Sequence, residues 1–294
     1  MKREDLRRIA ANTLRVVPDR PYLDFMYRRS FGKKIDWDDP KTFNEKLNWL
    51  KVNDRRPEYV TMVDKAAVKD HVAKSIGREH IIPTLGVYES FDEIDFDALP
   101  DRFVLKCTHD SGGIVICRDK SRLDRAAAKS KLEKSLKSNF YWFGREWPYK
   151  DVEPRILAET YMEDPSDGDL CDYKLFCFDG KPRIALVCSE RYAEGGLRED
   201  FFDMDWNHLD MQRARHGNAD VCPACPSRFD EMKVLAGRIA KGMPFVRIDF
   251  YEISGKVLFG EITFFPSSGF EGFIPTSWDE EMGSWITLPK LPRS

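Results

Sequence analysis

The 294-residue sequence predicts an α+β fold with largely antiparallel sheets. Short runs of β-branched and aromatic residues crowd the second half of the chain. Two pairs of these runs flank tight-turn dipeptides, Asp179-Gly180 and Ser254-Gly255, which is a hairpin signature. Helical stretches fall between them irregularly, whereas a doubly wound parallel sheet needs a crossover after almost every strand.

Taken in order, the first 34 residues hold ten Lys/Arg against four Asp/Glu. Within them Leu6, Ile9, Ala10, Leu14 and Val17 recur at helical spacing until Pro18 stops the helix. Such a basic amphipathic helix could touch an anionic membrane surface or simply pack on its own domain. KTFNEKLNWLK (41–51) reads as a helix with Phe43, Leu47 and Leu50 on one side. DKAAVKDHVAKSIG (64–77) reads as a second, with Val68, Val72 and Ile76 four apart and Gly77 as its terminator. Strands follow at HIIPTLGVY (80–88), RFVLKC (102–107) and GIVICR (113–118). Ser121 and Asp124 suggest a capping box that opens a helix over about 122–139. RILAETYM (155–162) is a buried strand running into an acidic loop, 163–169. DYKLFCF and PRIALVCSE form the first hairpin. Ser227 with Asp230 is expected to cap a helix whose Phe229, Met232, Ala236, Ile239 and Ala240 share a face. FVRIDFYE (245–252) and KVLFGEIT (256–263) form the second hairpin. The expected division is a basic, mostly helical region over 1–60, a smaller lobe over 61–158 and a larger lobe over 159–294.

Bulk properties narrow the function. The chain is 42% hydrophobic and 33% charged, with a net charge of −3. Its mean hydropathy is −0.51 and its isoelectric point is near 6.0. No apolar run approaches the length of a membrane span, the longest being Ile184 to Cys188. The overall charge offers no attraction to nucleic acid. MKREDLRRIA lacks the apolar core of an export signal, and seven cysteines is an odd number, so a cytoplasmic protein with reduced thiols is expected.

The segment 245–269, FVRIDFYEISGKVLFGEITFFPSSG, holds the densest chemistry. Alternation along each strand puts Arg247 and Asp249 on one face and Glu261 and Thr263 on one face of the partner. Pairing around the turn places Glu261 nearly opposite Arg247. Two carboxylates in an apolar setting repel, and a divalent cation such as Mg²⁺, which favours one or two carboxylates plus phosphate oxygens, would resolve that. A cross-strand Arg–Glu pair on a solvated face is the plainer alternative. FVLKCTHDSGG (103–113) adds Lys106 directly before a loop with two glycines, whose N–H groups can cradle phosphate. Lys174, in an apolar strand, needs a partner or ligand, because an unpaired buried cation is costly. Polyphosphate is an economical common partner for Lys106, Lys174, Arg247 and a metal held by Asp249 and Glu261.

These residues and the phrases around them resemble a known family. Lys65 in DKAAVK, Lys106 before HDSGG, Glu159 in ILAETYM, Lys174, Arg247-Ile-Asp249 and Glu261-Ile-Thr263 before FFPSSG are similar to the ordered motifs of ATP-grasp enzymes. That likeness includes the series found in D-alanine–D-alanine ligases. PKTFNEKLNWLK, GVYESFDEIDF, LPDRFVLKC, GREWPY, PRILAETYM and FGEITFFPSSGF resemble the TupA-like ATP-grasp family, associated with teichuronopeptide and other surface-polysaccharide synthesis.

The resemblance implies an ATP-grasp fold, two α+β lobes clamping ATP, with ATP and Mg²⁺ as cofactors. Lys65 and Lys106 would contact the nucleotide phosphates, and His109, Ser111, Gly112 and Gly113 would lie in a phosphate lid. Glu159, Thr160, Tyr161 and Met162 would supply the adenine edge, and Glu163 or an acid just after it would hold the ribose. Asp249 and Glu261 would bind Mg²⁺, with Thr263 where many relatives place an asparagine ligand. Arg247 and Lys174 would stabilise the transferring phosphoryl group. The implied reaction joins a small-molecule or saccharide carboxylate to an amine or amino acid. A phosphotransferase acting on a sugar hydroxyl and a non-catalytic nucleotide-binding partner in a polysaccharide assembly complex are the other readings.

Several features stand apart. Cys222-Pro-Ala-Cys225 is half of a zinc motif, with His208 and His216 upstream at irregular spacing. Arg191 and Arg198 bracket Gly195-Gly196 in a predicted loop and could grip a substrate carboxylate, or be solvated loop arginines. NFYWFGREWPY (139–149) could stack on a sugar or nucleotide, or serve as a hydrophobic joint. Cys107 reads as a strand residue and not as a nucleophile.

Overall fold

The computed structural model describes residues 14–163, 171–189, 196–213 and 215–290. Its contacts divide the chain into two units, one made of Met1–Arg55 with Asp164–Ser294 and the other of Arg56–Glu163. The expected borders at 60/61 and 158/159, with the first 60 residues set apart, differ from this division. The expected N-terminal amphipathic helix falls mostly outside the described residues, as does the acidic loop beyond Glu163.

In the larger unit, α1 spans Asp19–Phe31 and α2 spans Phe43–Asn53. Tyr22, Leu23 and Tyr27 of α1 pack with Ile35 and Val52. Thr42 and Glu45 close a full capping box on α2, satisfying two otherwise orphan backbone donors.

The smaller unit begins with α3 (Glu58–Val63) and α4 (Ala67–Ile76). Asp64, between them, accepts from the N–H groups of Ala66 and Ala67, so the single helix expected over 64–77 starts later. Strands β1 (Thr84–Tyr88), β2 (Phe103–Cys107) and β3 (Ile114–Cys117) follow. Then come α5 (Arg125–Leu136), the single turn α6 (Tyr141–Gly144) and β4 (Ile156–Thr160). Asp124 caps α5 through the N–H of Ala127, but Ser121 sits in the preceding turn bonded to Asp119, so no capping box forms. The four strands make an antiparallel sheet in the order β1-β4-β2-β3. One face, with Phe103, Leu105, Cys107 and Ala158, is sealed in a core with Leu132 of α5. The other face carries Val104, Lys106, Ile114 and Ile116.

The rest of the larger unit supplies β5 (Asp172–Phe178), β6 (Lys181–Ser189), β7 (Arg198–Phe202) and β8 (Gln212–Arg213). Next come α7 (Phe229–Ile239), β9 (Phe245–Ile253), β10 (Lys256–Thr263), β11 (Phe273–Ile274) and α8 (Ser277–Ser284). The five-stranded sheet is antiparallel throughout, in the order β10-β9-β5-β6-β7, and β8 pairs β11 separately. Asp179 and Gly180 both take positive φ, as do Ser254 and Gly255, which is the turn geometry that suits strand twist. On α7, Ser227 gives its hydroxyl to Glu252 instead of capping the helix.

The two faces of this sheet differ in kind. Tyr173 and Phe202 lie on the side covered by α7, where Trp206 stacks on Phe202 and meets Phe229 edge-on. At one end of the opposite side, Phe176, Phe178 and Phe245 close around Phe43 of α2, with ring centroids 4.9–6.4 Å from it. Further along that side lie Lys174, Arg247 and Asp249, with Leu186 and Phe201 beside them. Among the described residues no helix is long and apolar enough to cross a membrane.

Phe43 is 1% exposed and touches three rings of the sheet, so Phe43→Ala should lower the unfolding free energy by about 3–5 kcal/mol. Urea titration followed by tryptophan fluorescence measures this, and a loss below about 1 kcal/mol would mean that α2 does not seal the sheet.

Candidate functional site

Each unit presents its own cluster of polar groups. In the smaller unit, β2 and β4 pair with Val104 opposite Glu159, so Glu159 and Lys106 emerge on the face away from α5. Glu159 is 5% exposed. Its two oxygens are held by Lys69 Nζ at 2.5 Å and Lys106 Nζ at 2.6 Å. Burial alone would raise the Glu159 pKa, but the two lysines outweigh it and hold the carboxyl below its usual range. Burial pulls Lys69 downward, and Glu159 offsets part of that. Two cations on one anion leave a net positive charge beside the apolar strip of Val104, Ile114 and Ile116, of which Ile114 and Ile116 are exposed. A planar base on the strip with its phosphates at the lysines is what such a face can hold.

The loop after β2 is fixed by its own side chains. Asp110 accepts from the Gly113 N–H and from the Ser135 hydroxyl, and Lys65 Nζ donates to the Asp110 carbonyl. His109 is buried, with Nε2 bonded to the carbonyls of Ser135 and Ser138 at 3.2 and 3.1 Å. Ser111 and Gly112 are exposed at the tip. A Cβ on Gly113 would overlap Ser135 Oγ and Cys107, which explains glycine there. Past β4, the Tyr161 hydroxyl accepts from Arg118 Nε at 3.1 Å, and Glu163 pairs with Arg102 at 2.5 Å. Thr160 gives its N–H to the Pro83 carbonyl, and Met162 is half-buried.

In the larger unit, β5 and β9 place Lys174 opposite Asp249. Asp249 is 2% exposed. Arg247 binds it as a fork, Nε to Oδ1 at 2.7 Å and Nη2 to Oδ2 at 2.8 Å, and Lys174 Nζ reaches Oδ2 at 2.7 Å. Burial works against the charge on each of the three. Arg247 and Lys174 nevertheless hold Asp249 below its usual range, and Asp249 keeps Lys174 and Arg247 above theirs. All three therefore stay ionised at neutral pH, and the carboxylate is already neutralised without a metal. Asp172 adds a second anion, 3.6 Å from Lys174.

The register of β10 differs from the expected one. From the turn outward Phe259 pairs with Phe250, but Glu261 pairs with Asp249 and Thr263 with Arg247. Gly260 is the extra residue of a β-bulge. Without it Glu261 would fall opposite Ile248, on the apolar face under α7, because a one-residue slip exchanges the faces of a strand. The bulge brings Glu261 and Thr263 round to the face of Asp249, and Thr263 Oγ1 accepts from Arg247 Nη2 at 3.0 Å. Glu261 thus faces Asp249 and not Arg247. A Cβ on Gly260 would lie 3.0 Å from the Tyr251 ring and 3.1 Å from the Asp249 carbonyl, so the close approach favours glycine.

Helix α2 fixes the loop that follows β10. Lys51 is 1% exposed, and its ammonium donates to the Ser268 carbonyl at 2.7 Å and Asn48 Oδ1 at 3.0 Å. Asn48 donates in turn to the Gly269 carbonyl at 2.9 Å. Ser267 and Ser268 take φ of 48° and 53°, a conformation unusual outside glycine that these contacts over-determine. Lys51, Asn48, Lys69 and Gly260 were all missed in the sequence. Lys51 lies four residues after Leu47, on the apolar face of α2, and a lysine there was the available signal.

Two carboxylates facing each other across adjacent strands suit Mg²⁺ that arrives with phosphate oxygens, since that ion needs few protein ligands. Among the described residues no group of three or more His, Cys, Asp or Glu is placed to hold a metal. Thr263 is committed to Arg247. Arg191 lies outside the described residues, and Arg198 begins β7. Cys222 and Cys225 are exposed, while His208 is tied to Asp200 at 2.9 Å. Burial pushes the Cys107 thiol up to about 11, which suits a core residue.

Residues 45–287 match the family described as TupA-like ATPgrasp. A comparison with curated proteins gave no match. Among solved structures, D-alanine–D-alanine ligase from Bacillus anthracis complexed with ATP is 13% identical, covering 69% of this chain and 53% of that one at a TM-score of 0.39. The Helicobacter pylori D-alanine–D-alanine ligase is 14% identical, covering 83% and 69% at 0.41. A RimK domain ATP-grasp protein from Sphaerobacter thermophilus is 13% identical, covering 80% and 70% at 0.42. The chain thus spans about half the length of the first of these.

The bulge yields a direct test. Gly260→Ala should destabilise the protein by about 1–3 kcal/mol through overpacking against β9, whereas Lys256→Ala on the same strand should be near neutral. Chemical denaturation of both variants decides it. A Gly260→Ala protein as stable as wild type would show that the strand pairs without the bulge.

Proposed function

The chain belongs to the TupA-like ATP-grasp family, and from that premise we propose that it is an ATP-dependent carboxylate–amine ligase. It would activate a carboxylate as an acyl-phosphate and join it to an amine, attaching an amino acid or amine to a sugar acid for capsular or exopolysaccharide synthesis in the cytoplasm. ATP and Mg²⁺ are its cofactors. The observation that carries this reading is the buried trio Lys174–Asp249–Arg247 with Glu261 facing Asp249. A purely structural ion cluster has no need of a second carboxylate set against the first.

In this reading Lys106 and Lys69 bind phosphate oxygens, and the exposed tip Ser111–Gly112 covers them. His109 braces that loop from beneath. Backbone groups from Glu159 to Met162 border the base. Asp249 and Glu261 hold Mg²⁺, which when bound offsets the charge of the phosphate oxygens. Arg247, kept fully charged by Asp249, stabilises negative charge developing on the phosphoryl group and on the carbonyl oxygen. Lys174 fixes Asp249 and adds positive charge beside it. Tight pairing in the resting protein keeps these groups in place before substrate arrives, so little reorganisation is needed during reaction.

Saturating Mg-ATP, at a hundred times its dissociation constant, should stabilise the protein by about 2.7 kcal/mol. With an acid substrate and no amine, hydroxylamine should capture the acyl-phosphate as a hydroxamate. Arg247→Lys keeps the charge but loses the fork, and should slow turnover by about a hundredfold or more. A stable phosphorylated sugar, with no hydroxamate and no amide from any acid–amine pairing, would overturn the ligase in favour of the phosphotransferase.

A further inference from the structure

On the charged face of the five-stranded sheet, a second polar cluster lies beyond the Lys174–Asp249 row. Asp172 pairs with Cys188, and Cys188 pairs with Glu199 of β7, so Glu199 shares this face. Two strand spacings put it roughly 10 Å from the β5 strand that carries Lys174. Arg213 of β8 points into the same place, stacked 5.9 Å over Phe273. Its Nη1 donates to Ser267 Oγ at 3.0 Å and more weakly to Glu271 Oε2 at 3.4 Å. Its Nε is 3.8 Å from Glu199 Oε2, too far for a hydrogen bond. Ser267, in the loop that Lys51 and Asn48 pin, donates to Glu271 Oε2 at 2.6 Å.

The cluster is incomplete in a specific way. The side chains of Glu199 and Arg213 are only 6% and 8% exposed, and that of Glu271 is 12% exposed. Yet among the described residues Glu199 Oε2, Glu271 Oε1 and Arg213 Nε make no hydrogen bond. Native interiors satisfy nearly all such groups, so three orphans in one cluster call for a partner. Two carboxylates share one buried guanidinium, and neither is held by it as a fork. Arg215 approaches Glu271 Oε1 to 3.8 Å, beyond hydrogen-bond distance, and is largely exposed, so that pair contributes little. Ser267 and Glu271 form the solvent-facing edge through which a ligand would enter.

We infer that Glu199, Glu271, Arg213 and Ser267 form the subsite for a primary ammonium group on the acceptor substrate. An ammonium carries three N–H donors and no acceptor, which matches two orphan carboxylate oxygens. The remaining donor, Arg213 Nε, suits an oxygen near the amine, as in an amino acid or an amino sugar. The subsite rests on the ligase reading above only for its role as the acceptor site, because its ligand chemistry follows from the cluster itself.

The test uses the full-length protein, titrated with ethylammonium chloride and separately with sodium acetate at constant ionic strength and followed by backbone amide NMR. Ethylammonium should give saturable shifts centred on residues 199, 213, 267 and 271, and acetate should not. Glu199→Gln and Glu271→Gln, which keep side-chain shape, should each weaken ethylammonium binding about tenfold. Both should retain Mg-ATP affinity within about twofold. Acetate binding in its place, the absence of saturable ethylammonium shifts in the wild-type protein, or binding indifferent to both substitutions would overturn the assignment. Wild-type protein that binds Mg-ATP but not ethylammonium sinks this subsite alone. Ethylammonium binding without Mg-ATP binding sinks the nucleotide reading and leaves the subsite standing.

Discussion

Asp249 sits almost wholly out of water between the guanidinium of Arg247 and the ammonium of Lys174. Two buried cations and one buried anion are costly to desolvate, and only the full set of short contacts makes the arrangement tolerable. Removing one member of such a group typically costs about 3–5 kcal/mol, because its partners are left buried and unpaired. The surrounding structure is arranged to keep the set intact. β9 and β5 carry it on one face, α7 closes the opposite face with apolar side chains, and α2 closes the near end with Phe43. Any substrate or ion reaching this face meets charges that are already oriented.

The Gly260 bulge determines what stands next to that trio. One inserted residue turns Glu261 and Thr263 to the charged side, while Phe259 and Ile262 stay buried. Beyond β10, Lys51 and Asn48 hold the 266–269 turn in left-handed geometry and so aim Ser267 toward Arg213 and Glu271. Helix α2, which lies more than two hundred residues earlier in the chain, is therefore part of the support of the site. That role explains why its sequence is rich in Asn and Lys at positions that face the protein interior.

Much of this was legible in the residues. The antiparallel hairpins followed from Asp179-Gly180 and Ser254-Gly255, since those dipeptides accept the positive φ that two-residue turns require. Lys106, Glu159, Lys174, Arg247 and Asp249 stood out as charges in apolar strands. Their pairing was less visible. Arg247 and Lys174 both bind Asp249 directly, which the residues alone do not reveal, because alternation gives the face of a side chain but not the register of its neighbour. The Glu261 register was off for a related reason, since a glycine inside a strand can be a bulge or merely a small residue. Lys69 was overlooked beside Lys65, which lies in the turn before α4, and only the fold shows that Lys69 reaches Glu159. Ser121 and Ser227 stand at cap-like positions in the sequence, but nearby carboxylates, Asp119 and Glu252, engage them instead.

We propose that Asp249 and Glu261 bind a divalent cation only together with nucleotide phosphates, because the protein's own cations already neutralise Asp249. Manganese can stand in for magnesium and be counted by electron paramagnetic resonance as the free ion disappears. The account predicts weak Mn²⁺ binding to the protein alone and much tighter binding once ATP is added, with the gain abolished in Glu261→Gln. Equally tight Mn²⁺ binding without ATP, or an ATP-dependent gain that survives in Glu261→Gln, would contradict it.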